Sequence, residues 1–201
     1  MTRELLCETR HAWLYPFFVR SKVLITEVYA PAARLEAIRI FLTYASYMNF
    51  TVFQMDVKTA SLYGEVKEDI YVDQPPGFIN SKFLNHVYKL DKALYGLHQA
   101  PRPWYVTLTD HLLQHGYTRG TIDQTLFIKH QNSDQIVVQI YVDDIIFGST
   151  SEAMCKDFEQ VMKKRFEISL LGEMTMFLGL QVKQSSMGIL LHRGKPRWPI
   201  F

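Results

Sequence analysis

Cysteine is nearly absent from this chain of 201 residues: Cys7 and Cys155 stand alone, far apart and without metal-ligand spacing. A disulfide framework is thereby excluded, and a reduced intracellular setting is expected, cytoplasm and nucleus being equally open. Long hydrophobic runs are also missing. No stretch reaches the roughly 18 apolar residues of a membrane span, and the apolar patch Ala12–Val19 is broken by Pro16 and lacks a following small-residue cleavage site. Neither membrane insertion nor secretion is predicted. An excess of one charge is lacking as well, with 22 basic against 20 acidic residues and a net charge of +2. Repeats, low-complexity tracts and linkers do not occur between Glu27 and Leu190, so that span is read as one structural unit.

What the chain does have is a 48% hydrophobic content, enough for one substantial core, and one place where charge interrupts it sharply. In Val137-Val138-Gln139-Ile140-Tyr141-Val142-Asp143-Asp144-Ile145-Ile146-Phe147-Gly148, two adjacent carboxylates break a β-branched and aromatic run. The flanks read as two short buried strands, with the Asp-Asp pair at the tight turn between them. Turn chemistry alone accounts for many such pairs. Burying an unpaired carboxylate is costly, however, so two on a hydrophobic hairpin suggest a bound divalent cation. A third carboxylate, Asp56, ends the apolar run of Phe53-Gln54-Met55-Asp56-Val57-Lys58. Carboxylates from different strands are what two-metal nucleotidyl transfer requires, and Mg²⁺ suits such oxygen ligands.

Along the chain, Ala32–Tyr47 carries Leu35, Ile38, Phe41, Leu42 and Ala45 at helical spacing. Thr51–Val57 reads as a strand, and Gln74-Pro75-Pro76-Gly77 as a loop, since consecutive prolines remove amide donors. Leu94–His115 is read as helical after a break at Pro101 and Pro103, with Trp104, Leu108, Leu112 and Leu113 on one face. Thr125–Lys129 is a further strand, and Ser151–Phe166 a helix capped by Ser151 or Ser149. This alternation implies an α+β fold in which helices cover one face of an antiparallel sheet and leave the carboxylate face open.

Ordered blocks then connect these elements to a family. They are Ala33-Arg34-Leu35-Glu36-Ala37-Ile38-Arg39, Gln54-Met55-Asp56-Val57-Lys58, Gln74-Pro75-Pro76-Gly77-Phe78, Ala93-Leu94-Tyr95-Gly96-Leu97, Gln99-Ala100-Pro101-Arg102, the Tyr-Val-Asp-Asp hairpin and Phe177-Leu178-Gly179-Leu180-Gln181. From Glu27 to Leu190 the chain resembles the reverse transcriptase of copia-type LTR retrotransposons. That resemblance implies a polymerase palm with partial fingers and no complete thumb, adding dNTPs to a primer 3′-hydroxyl on an RNA or DNA template. It implies Asp56, Asp143 and Asp144 as the catalytic carboxylates, joined by Val57 in holding two Mg²⁺ or Mn²⁺ ions. Ser61, Gln99 and Val142 would face the nucleotide, and Arg102 with Phe177, Leu178, Gly179 and Leu180 would contact nucleic acid. Other segments of the pol polyprotein are implied partners.

Departures from the family pattern qualify the expectation. Residues 1–26 do not match a fingers sequence, and the tail 191–201 loses strand alternation, the picture of a copy cut at both ends. The net charge of +2 is small for a protein following a polyanion, although Lys89, Lys92 and Arg102, and Lys163, Lys164 and Arg165, form local basic clusters. Ser61 stands where the family usually has phenylalanine, an aromatic that lies under the sugar and excludes a ribose 2′-hydroxyl. Tyr63, His98 and Pro103 replace the usual Asn, Lys and Ala. A catalytically inactive remnant that at most binds nucleic acid is the competing reading.

Overall fold

The computed structural model describes residues 30–31, 33–93 and 100–193. The first helix, α1 (Leu35–Tyr47), buries Ile38, Phe41, Leu42 and Ala45, the stripe that the spacing predicts, with Leu35 half-buried. It begins at Leu35 rather than Ala32, and Arg34 occupies the N-cap without a side-chain hydrogen bond. Its end has a clear local cause. Asn49 adopts a left-handed φ of 56°, the Asn49 amide donates to the Ser46 carbonyl, and the Phe50 amide donates to the Ala45 carbonyl. Those two bonds make a Schellman motif in which asparagine replaces the usual glycine.

From Phe50 the chain enters β1 (Val52–Val57), an interior strand of a six-stranded antiparallel sheet. The sheet also contains β4 (Thr118–Arg119), β5 (Leu126–Gln131), β6 (Asp134–Tyr141), β7 (Asp144–Ser149) and β8 (Ile168–Glu173), in the order β4-β5-β6-β7-β1-β8. Residues paired across neighbouring strands share a face. On one face Phe53 and Phe147 stack at 5.7 Å, and Phe158 of α3 (Glu152–Lys163) packs on Phe147 at 4.8 Å. On the other face Val52, Val137 and Ile146 form a core with Ile38, Phe41 and Leu42 of α1. Helices therefore cover both faces, not one as expected. The carboxylate-bearing face stays partly open because α1 packs toward the Val52 end of β1, four residues from Asp56.

That second core also takes in Phe177 and Val182 from a three-stranded antiparallel sheet, β9 (Met176–Phe177), β10 (Leu180–Ser185) and β11 (Gly188–Arg193). Gln184 fastens this sheet to β1. Its side-chain oxygen accepts the Val52 amide at 2.8 Å, and its amide nitrogen donates to the Val52 and Met174 carbonyls at 2.8 and 3.1 Å. Ahead of α3, Ser151 is the N-cap by position but its side chain makes no cap bond. Ser149 acts instead, its hydroxyl accepting the Ser151 amide and donating to the Gln135 carbonyl.

The sequence offers no break, yet the chain divides into two compact units, one containing Thr59–Leu108 and the other Pro31–Lys58 and the chain from Thr109 onward. The first unit contains the 3-10 turn Ala60–Tyr63 and an antiparallel ribbon of β2 (Glu65–Val72) with β3 (Tyr88–Lys92). The proline-rich segment after β2 is a loop, as predicted, held by Gln74 donating to the Phe83 and His86 carbonyls. The second boundary falls inside α2 (Pro101–Gln114), which explains why composition gives no hint of it. Pro101 and Pro103 sit in the first turn of α2, where a missing amide costs nothing. Trp104, Leu108 and Leu112 are buried, but Leu113 is 45% exposed. Nine positions past Trp104, at 100° per residue, Leu113 points to the opposite side.

Among the described residues no helix is long and apolar enough to cross a membrane. His111 on α2 is buried, with Nε2 3.0 Å from the Val161 carbonyl of α3 and its ring against Phe166 at 5.1 Å. Burial holds its pKa below the ordinary histidine value; the Val161 bond opposes this, and the charges of His115 and Arg165 reinforce it. The unfolded chain thus binds the proton first, and stability present above pH ~6.5 is lost as pH falls through the lower folded pKa. Between pH 7.5 and 5 the urea midpoint of the wild-type chain should lose ground relative to that of His111→Gln as pH falls. A difference between the two proteins that does not change with pH contradicts this assignment.

Candidate active site

The antiparallel register of β1 with β7 sets Asp56 directly opposite Asp144, the last of five consecutive pairs that begin at Val52 and Gly148. Gly148 is required at the far end of that run, since a Cβ there would lie 2.6 Å from the Phe50 ring. Between β6 and β7 the loop is only two residues long, closed by the Tyr141–Asp144 pair. It consists of Val142 and Asp143. Asp144 is therefore the first residue of β7, and the expectation that both carboxylates occupy the turn holds only for Asp143. Val142 has φ of 56°, while Asp143 is not left-handed. A positive φ confined to the first loop residue is the type II′ pattern, which ordinarily takes glycine there. A β-branched residue in that conformation stores strain of order 1–3 kcal/mol.

The strained turn is tied back to the sheet. The Val57 amide donates to the Asp143 carbonyl at 3.0 Å, and the next amide, Lys58, donates to the Glu167 carbonyl at 2.9 Å. Val57 itself is buried, and Val142 is 37% exposed. Asp56, Asp143 and Asp144 are all half-buried. Burial, followed by the charges of Asp143 and Asp144, raises the Asp56 pKa, with Lys58 opposing. Burial also raises that of Asp144, the Gln54 hydrogen bond opposing it and the Asp143 charge adding to it. These are carboxylates whose ionised forms repel one another.

Hard, mutually repelling oxygen donors match Mg²⁺ or Mn²⁺. Among the described residues, no three such side chains are already gathered closely enough to hold a metal ion. The fit thus rests on donor chemistry, with Asp56 and Asp144 paired in register and Asp143 on the adjoining turn.

The other expected site residues belong to other elements. Phe177 to Leu180 is a hairpin, not a continuous strand: Leu178 and Gly179 both have positive φ, 47° and 76°, and Phe177 pairs with Leu180. Both loop residues being left-handed is the type I′ pattern that closes a two-residue hairpin. Phe177 meets the Tyr141 ring edge-on at 6.2 Å, which brings this hairpin to the strand that leads into Val142 and Asp143. Ser61 lies half-buried in the 3-10 turn, and Arg102 is exposed in the first turn of α2. Both belong to the Thr59–Leu108 unit. Gln99 and His98 lie outside the described residues.

Sequence reading missed Gln54. It is 8% exposed, and its Nε2 donates to Asp144 Oδ1 at 3.1 Å. Strand alternation was the available signal, because Gln54 precedes Asp56 by two residues and so faces the same way.

Residues 16–195 match the family model described as reverse transcriptase (RNA-dependent DNA polymerase). The chain belongs to that family. Its copia-type character follows from relatives that are retrotransposon Pol polyproteins. The chain is 36% identical over 82% of its length to the retrovirus-related Pol polyprotein from transposon RE1 of Arabidopsis thaliana, and 33% identical over 87% to that from transposon RE2 of the same plant. It is 32% identical over 78% to the corresponding polyprotein from transposon TNT 1-94 of Nicotiana tabacum. The chain spans 11%, 12% and 12% of those three polyproteins. No solved structure matches it. The reverse transcriptase match starts at residue 16, ahead of Glu27, where the sequence resemblance begins.

Because folding raises the Asp56 and Asp144 pKa values, ionising these groups at neutral pH opposes folding. Without divalent cations at pH 7, Asp56→Asn should melt on the order of 2 °C above the wild-type chain. Adding Mg²⁺ should raise the wild-type midpoint and leave Asp56→Asn less affected. Calorimetric melts with EDTA and then with Mg²⁺ check this, and a lower metal-free midpoint for the variant rejects it.

Proposed function

We propose that this reverse transcriptase domain is a palm with partial fingers that adds dNTPs to a primer 3′-hydroxyl on an RNA or DNA template. The observation that carries the reading is the Asp56–Asp144 register pair with Asp143 beside it, in a chain that matches the family along residues 16–195. Two Mg²⁺ or Mn²⁺ ions would supply activation of the 3′-hydroxyl and neutralisation of the leaving pyrophosphate. Asp56, Asp143 and Asp144 would hold them, with the Val57 backbone carbonyl as a further oxygen donor.

The remaining roles follow the family pattern residue by residue. Ser61, Gln99 and Val142 would line the nucleotide, Arg102 would contact a phosphate, and Phe177 to Leu180 would hold the primer end. Arginine suits a phosphate contact because its planar fork donates two bonds at once. Other pol segments would complete the template channel and supply positive charge that a net +2 does not. The setting proposed is intracellular.

Primer extension on an RNA template with Mg²⁺ or Mn²⁺ tests the reaction. Wild-type protein should extend the primer, and the Asp143→Asn/Asp144→Asn double variant should lose about 10²-fold or more of that rate. If wild-type protein binds the cations but never extends, the chain is a folded remnant that at most binds nucleic acid.

Ser61 generates a second expectation. A small hydroxyl in place of a phenylalanine leaves room for a ribose 2′-hydroxyl, so the wild-type domain should discriminate poorly between rNTP and dNTP. Ser61→Phe should raise the preference for dNTP by at least about tenfold, the effect of roughly 1.4 kcal/mol. Equal selectivity in the two proteins eliminates the role.

A further inference from the structure

We infer that Gln54 is a positioning residue for Asp144, an inference that rests on the metal-holding role proposed for that carboxylate. Gln54 sits on β1 opposite Ile146 of β7, two positions along that strand from Asp144. Its bond to Asp144 Oδ1 is therefore a diagonal across the strand pair. Diagonal neighbours lie about 7–8 Å apart at the backbone, within reach of a long side chain. Asparagine, one methylene shorter, does not span that gap from the same backbone.

The environment makes the bond consequential. On the other side Gln54 pairs with Gly172 of β8, which contributes no side chain, and the β1–β8 register shifts between Gln54 and Met55. Gln54 itself is 8% exposed, so its amide is largely shielded from water. A buried amide donor on a partly buried carboxylate makes a charge-assisted bond, which fixes the carboxylate rotamer and favours its ionised form. With Oδ1 engaged by the amide, Oδ2 remains to meet a cation. Outer partners of ligating groups commonly change metal affinity by about 10–100-fold when removed. The neutral amide adds no charge to the repelling carboxylates.

Mn²⁺ titration by electron paramagnetic resonance on the full chain tests the inference. Gln54→Met keeps the volume and loses the donor, and Gln54→Asn keeps the amide and loses the reach. Both should bind Mn²⁺ about tenfold more weakly than wild type while retaining the metal-free melting transition. A double-mutant cycle separates positioning from packing. In the Asp144→Asn background, Gln54→Met should cause no further loss of Mn²⁺ affinity. Losses that simply add, or wild-type affinity in both single variants, overturn the inference while leaving the metal role intact. Unchanged Mn²⁺ binding in Asp144→Asn instead defeats the metal role on which it rests. If Gln54→Met unfolds, Gln54→Asn and its own double variant decide in the same way.

Discussion

Register between Val52–Val57 and Asp144–Ser149 is the constraint from which the rest of the site follows. In a strand pair a one-residue slip turns every side chain to the opposite face. Such a slip would drive Asp56 toward the face where Phe158 packs on Phe147, and would expose Met55 where the carboxylate now stands. Neither is tolerable in free energy, because burying a lone carboxylate among aromatic rings costs several kcal/mol. The hydrophobic pattern of β1 and β7 thus fixes the chemistry of their ends. Phe53 against Phe147, Met55 beside Ile145 and Gly148 under Phe50 form the apparatus that holds Asp56 opposite Asp144.

Two unfavourable features are held in place by that apparatus. Asp56 and Asp144 repel their carboxylate neighbours, and Val142 occupies a conformation suited to glycine. Local forces would relax both, since a glycine at position 142 removes the strain and an asparagine at position 56 removes a charge. Both persist because the paired strands on either side hold them there. Residues held in rare backbone conformations cluster at functional sites for this reason. The Asp143 carbonyl, bonded to the Val57 amide, transmits the restraint from sheet to turn.

Much of this was legible in the sequence, for identifiable reasons. The α1 stripe, β1 and the hairpin strands announce themselves through periodicity, and short blocks such as Gln54-Met55-Asp56-Val57-Lys58 carried the family resemblance. What escaped depends on non-local geometry. No periodicity says on which face a helix packs, so α1 against Val52, Val137 and Ile146 was not foreseen. The two-unit division crosses the chain at Lys58 and within α2, at places without any change in composition. Leu113 was misplaced by counting apolar residues rather than angles, and the turn at Leu178-Gly179 rests on two left-handed residues that no hydrophobic pattern announces. Ser149 took the capping role from Ser151 because its hydroxyl could bridge β6 and the start of α3 at once.

Gln54 shows how a site extends beyond its charged members. A motif search stops at the carboxylates, since glutamine carries no charge and performs no proton transfer. Strand geometry leads further: alternation gives Gln54 the face of Asp56, and register gives it a diagonal to Asp144. A leucine there would pack as well and leave Asp144 with one fewer donor. A lysine would supply a stronger donor, but its charge would compete with any cation for the same oxygens. An amide lies between these, strong enough to fix the carboxylate and neutral enough to leave its charge for a cation. The physical demand on position 54 is therefore narrower than burial alone would suggest.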